Sequence, residues 1–65
     1  KMNKFSFKIL KKVREDKRLT LAEVSKVTGI ATGYLNQLER GIFKDIKNRD
    51  KRSRLIQFIE SNQVN

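Results

Sequence analysis

Residues Thr20–Gly41, TLAEVSKVTGIATGYLNQLERG, hold two short helical patterns separated by one glycine and closed by another. Thr20 is a natural N-cap, and Glu23 three residues later completes a capping box, each residue satisfying a free backbone N–H of the first turn. Leu19 before the cap and Val24 inside the helix occupy the positions of a hydrophobic staple. Gly29 suits the left-handed conformation that ends a helix, where a Cβ is penalised. Ile30 then turns inward, and a second apolar period begins at Leu35 and Leu38. Gly41 stops that helix as Gly29 stops the first.

Two short helices joined through a glycine turn are the layout of a helix-turn-helix, whose second helix lies in the DNA major groove. The chain also resembles a family. LKKVREDKRLT (10–20), LAEVSKVTGI (21–30) and GYLNQLERG (33–41) are similar to the lambda-repressor-like, Cro/C1-type (XRE) helix-turn-helix proteins. The third segment is the most specific, because members often close the recognition helix with an aromatic-Leu-polar-polar-Leu-Glu-Arg-Gly run. The resemblance covers roughly half the chain and fades after Gly41. It implies a compact all-α domain of four helices, or five, that binds operator DNA as a homodimer and acts as a transcriptional regulator or repressor. Small stand-alone versions resemble regulators of bacterial phages and mobile elements.

Composition bounds the alternatives. At 65 residues the chain reads as a single domain, 1–65, with helices at about 6–17, 21–28, 32–40 and 48–61. It contains no cysteine and no histidine, which removes the thiolate metal ligands, the disulfides and the commonest general base. No constellation of carboxylates, lysines or hydroxyls suggests catalysis, so the expectation is no enzyme, no metal, no cofactor and no small-molecule substrate. No apolar run approaches the roughly 20 residues of a membrane span, and no signal-peptide pattern is present. A soluble cytoplasmic protein, bacterial or phage-encoded, is expected. Sixteen Lys and Arg against seven Asp and Glu give a net charge of +9. A small domain with a pI of 10.4 carries the electrostatic footprint of a nucleic-acid binder.

Ser6 is the expected cap of the first helix, with Phe5 and Leu10 as its staple and Ile9, Leu10 and Val13 as its buried stripe. Lys8 and Lys11 read as a solvated face. The resemblance pairs Arg14 with Glu39 across the domain as a structural ion pair. Many family members carry a phosphate-bracing Gln where Leu21 stands, and Leu21 can only pack or leave its backbone N–H to an anion. In the second helix Val24 and Val27 are the apolar pair.

With Leu35 and Leu38 facing the core, Thr32, Gly33, Asn36 and Gln37 fall on or near the open face of the third helix. Asn and Gln suit bidentate reading of adenine, and Thr can offer a hydroxyl or a methyl. The family pattern gives these four base-facing positions and sets Tyr34 and Arg40 at phosphates, although Tyr34 could instead pack against the fourth helix. Ala31 stands where a capping Ser or Thr is usual, so Thr32 could serve as the cap. Between Lys44 and Arg54 lie six basic residues and two acidic ones, and Lys44 and Lys47 are the expected backbone contacts. Ile42, Phe43 and Ile46 read as a loop packed on the core. Leu55, Ile56, Phe58 and Ile59 complete the core or form a dimer contact. The alternatives to a sequence-specific regulator are a protein-interaction module of the antitoxin or antirepressor kind, and a non-specific nucleic-acid binder.

Overall fold

Local signals set most of the helix ends. The computed structural model describes residues 6–63, with α1 at Ile9–Asp16, α2 at Leu21–Thr28, α3 at Thr32–Glu39 and α4 at Arg49–Asn62. No strand occurs among these residues, and the fold is all-α.

The start of α1 differs from the sequence reading. Ile9 N–H donates to the Ser6 carbonyl and Leu10 N–H to that of Phe7, at 3.3 and 3.0 Å. The chain therefore enters through a tighter turn with three-residue spacing, and the α-helix proper begins at Ile9. Ser6 still opens this turn, its Oγ accepting from Lys8 N–H at 3.3 Å. Phe5, the expected staple residue, lies outside the described residues. At the other end Leu19 N–H donates to the Arg14 carbonyl and Arg18 N–H to that of Glu15. This is a Schellman closure whose left-handed position is filled by Arg18, at φ +57°, where glycine is usual.

Helix α2 begins with the full capping box: Thr20 Oγ1 accepts from Glu23 N–H at 3.1 Å, and Glu23 Oε1 accepts from Thr20 N–H at 2.7 Å. It ends at Gly29, φ +77°. Thr28 closes the turn from inside. Fully buried, it donates its hydroxyl to the Val24 carbonyl at 2.8 Å and accepts from Ile30 N–H at 3.3 Å.

Ala31 occupies the N-cap position of α3 and makes no side-chain cap, so Thr32 is the first helical residue rather than the cap. Its C-terminus is another Schellman closure. Gly41, φ +79°, donates to the Leu38 carbonyl, while Ile42 and Phe43 both donate to that of Gln37. Arg40 is the C-cap, one position beyond the helix. Asn48 caps α4, its Oδ1 accepting from Lys51 N–H at 3.0 Å.

Isolated helices of eight residues are not stable in water, so α1, α2 and α3 depend on their packing. Leu10 and Val13 from α1, Val24 from α2, Leu35 and Leu38 from α3, and Leu55, Phe58 and Ile59 from α4 meet in one core. Phe7, Ile30 and Ile46 join it from the connecting segments. Each fully buried leucine contributes about 1.5–3 kcal/mol. Helix α4 packs on α1 and α2, and α3 packs on the same two helices.

Four residues expected in the core, Ile9, Val27, Ile42 and Phe43, are corrected, and the α4 residues take the core places expected of them. Phe7, unassigned from sequence, is a core residue, while Ile9 is only half-buried. Val27 is 63% exposed; Thr28, one helical turn beyond Val24, takes the inner place because its hydroxyl is satisfied by the backbone. Ile42 and Phe43 are 52% and 41% exposed, and only Ile46 of that trio is buried. Of the apolar residues of α4, Leu55, Phe58 and Ile59 are buried and Ile56 is half-buried against the core.

Candidate nucleic-acid interface

The solvent side of α3 is built by subtraction. Leu35 and Leu38 are fully buried, which turns Thr32 and Gly33 outward, both exposed, with Asn36 half-buried behind them. Gly33 faces open space: a Cβ added there would meet nothing within 4 Å. Because Ala31 carries the cap position, the Thr32 hydroxyl is not engaged with the backbone. Gln37 departs from its expected place. It is half-buried, and its Oε1 is buried without a hydrogen-bond partner. Its amide is thus turned partly into the domain rather than presented wholly to solvent.

Lysines flank α3 at both ends. At its N-terminal end a groove is lined by Ala31, Tyr34 and Ile46 together with Lys47 and Lys51. At its C-terminal end another is lined by Leu38, Gly41 and Phe43 together with Lys8 and Lys44. Lys8 is exposed, as expected of a solvated face, and that face adjoins the C-terminal end of α3. Its methylene stem lies across Gly41, with Cδ 3.3 Å from where a Cβ would stand, and apolar stems covering backbone in this way leave the charged head in water. Lys44, Lys47 and Arg40 are exposed and make no ion pair with any described residue.

Tyr34 reaches no open surface with its hydroxyl free. Its ring packs at 4.8 Å, tilted, on Phe43, and its hydroxyl donates to the Asp45 carbonyl at 3.2 Å. Both contacts are with the loop after α3 rather than with α4. Asp45 Oδ1 in turn accepts from Ile46 N–H and from Arg52 Nε, each at 2.8 Å. The Arg52 guanidinium first, and the Ile46 N–H second, hold the Asp45 carboxyl below the usual carboxylate range.

Behind this surface Arg14 and Glu39 pair α1 with the end of α3, with Nε to Oε2 at 2.8 Å and Nη2 to Oε1 at 3.2 Å. The hydrogen bond to Glu39 raises the Arg14 pKa above its ordinary value, against the opposing effect of burial. Leu21 packs half-buried against the core, and Glu23 already places a carboxylate at the N-terminus of α2. That helix end offers an anion little. Among the described residues no cluster of three or more Asp and Glu side chains could hold a metal ion, and no helix is long and apolar enough to cross a membrane.

Two eight-residue helices joined through a left-handed glycine, the second presenting its open face between lysine-lined grooves, define a helix-turn-helix. A family model described as a helix-turn-helix domain matches residues 9–49, from the first residue of α1 to the first of α4, and the chain belongs to that family. Membership makes DNA the expected partner. No match is found among curated proteins or among solved structures.

Proposed function

We propose that the chain is a sequence-specific transcriptional regulator of the Cro/C1 (XRE) type, a non-catalytic cytoplasmic protein that docks α3 in the major groove of its operator as a homodimer. The observation that carries the reading is the placement of Lys47 and Lys51 at one end of α3 and Lys8 and Lys44 at the other. A helix lying in the major groove has a phosphate strand on each side, and cations at both ends of it are placed to meet them. Thr32 and Asn36 supply base contacts from the face between, Gln37 joins them once its amide turns out, and Gly33 lets the backbone approach. Arg40 and the lysines serve the phosphates. Tyr34 serves them through the loop that it braces.

Selection from random duplexes followed by salt titration tests this. A regulator of this kind prefers its selected site over random DNA by about a thousandfold or more, and Thr32→Ala, Asn36→Ala or Gln37→Ala each removes about 1–3 kcal/mol of that preference. A non-specific binder would show one affinity and one salt slope on both duplexes. The exposed Val27, Ile42 and Phe43 favour a second reading, a protein-interaction module that keeps the fold. Such a module would enrich no DNA site and would bind neither duplex at physiological salt.

A further inference from the structure

The loop between α3 and α4 carries one acid among its cations. Asp45 follows Lys44 directly and lies two residues before Lys47, on a surface otherwise suited to a polyanion. An uncompensated carboxylate there would repel phosphates. It is not uncompensated. Arg52 of α4 donates Nε–H to its Oδ1 at 2.8 Å, the same oxygen caps Ile46 N–H, and its backbone carbonyl accepts from Tyr34 of α3. One residue therefore ties the loop to both neighbouring helices, with the buried Ile46 beside it as an apolar anchor. Both Lys44 and Lys47 project from this fastened segment into solvent. Cations on a loop already ordered lose less freedom on binding than cations on a mobile one.

We infer that Asp45, acting through Arg52, is a positioning residue for DNA binding that holds Lys44 and Lys47 in the register α3 requires. The inference rests on the proposed DNA-binding function. As an exposed ion pair it should matter little to global stability. Its effect should instead appear in the geometry of the loop.

The decisive variant is Asp45→Ala, because the two accounts predict opposite signs. Removing a negative charge from a DNA-facing loop would, by electrostatics alone, tighten binding and steepen its salt dependence. Positioning predicts binding about two- to fivefold weaker on the selected site and on random duplex alike. It also predicts a shallower salt slope, faster exchange of the Lys44–Lys47 amides, and a melting temperature close to that of the parent chain. Adding Asp45→Ala to Arg52→Ala should weaken binding no further and should partly restore it, since the partner is already gone and the carboxylate left behind repels phosphates. If the parent binds DNA and Asp45→Ala binds more tightly, or leaves the amide exchange unchanged, the inference alone is overturned. A parent that binds no duplex overturns the DNA-binding reading and the inference with it.

Discussion

The Glu39 carboxylate, its side chain 3% exposed, receives two hydrogen bonds from Arg14, whose third contact, Nη1 to the Leu19 carbonyl at 2.9 Å, holds the turn before α2. One guanidinium thereby joins α1, the entrance to α2 and the end of α3. Arg14→Ala strands a buried carboxylate and should cost about 3–5 kcal/mol, comparable with the whole stability of so small a domain. The loss from Glu39→Ala should be smaller, because Arg14 keeps Leu19 and is itself 16% exposed. Denaturant unfolding of both single variants and the double variant measures the coupling; strictly additive losses would contradict the pairing.

Arg18 sits at φ +57° in the closure of α1, a conformation that carries a penalty of about 1–2 kcal/mol for residues with a Cβ. Arg18→Gly should raise stability by up to about 1 kcal/mol, since glycine's larger unfolded-state entropy offsets part of the relief. The reverse changes, Gly29→Ala and Gly41→Ala, should destabilise, and Gly41→Ala more so because the new Cβ presses on the Lys8 stem. Thermal unfolding of the three variants gives the order directly. A destabilised Arg18→Gly would mean that the arginine side chain makes a compensating contact.

Gly33 separates stability from binding. A Cβ there meets nothing, so Gly33→Ala should stabilise α3 by up to about 1 kcal/mol through helix propensity. If the backbone at this point approaches DNA closely, the same change should weaken operator binding. Unchanged affinity in a stabilised Gly33→Ala variant would show that the DNA does not come near this stretch of α3.

The lysines flanking α3 have a quantitative signature. Each phosphate neutralised contributes about 0.9 to the slope of log K against log salt, so Lys44→Ala with Lys47→Ala should flatten the slope by nearly two units while site preference survives. Lys8→Ala should flatten it further, given its place beside Lys44. Lys12 provides the control: 78% exposed and 3.7 Å from Asp16, it lies beside Gln63 at the far end of α4. Equal losses from Lys12→Ala and from the loop variants would place the docking surface on the wrong side.

Much of α2 and α3 was legible from sequence because their ends are decided locally. A capping box needs only Thr20 and Glu23, and a left-handed stop needs only a glycine at 29 or 41. The meeting of Arg14 with Glu39 followed from a resemblance, since nothing local joins residues so far apart in the chain. What escaped depends on contacts between distant segments. Helical period marks Val24 and Val27 equally, but a two-turn helix buries one narrow line, and Thr28 entered it once the Val24 carbonyl satisfied its hydroxyl. Phe7 precedes the α-helix and so lies outside any helical period. The path of residues 42–46 is set by paired hydrogen bonds to Gln37 and by Arg52, which hydropathy does not encode. No sequence signal tells that Gln37 Oε1 is turned inward, or that the Lys8 stem crosses Gly41.

The carbonyl of Gln37 carries the N–H groups of both Ile42 and Phe43, and this makes one peptide group the common datum for two rulers. In the proposed docking, α3 measures back from it toward the bases, and the loop measures forward to Lys44 and Lys47. Inserting one residue between Gly41 and Lys44 could shift the lysines by up to about 3.5 Å, close to the rise of one base pair. The insertion would set this datum against the hold of Asp45 on Tyr34 and Arg52. Where that hold gives way the lysines would, in the proposed docking, face the neighbouring phosphate while α3 stayed in place. Indels at this joint would act as a change of gauge, leaving a folded protein whose two contact sets no longer address the same stretch of duplex.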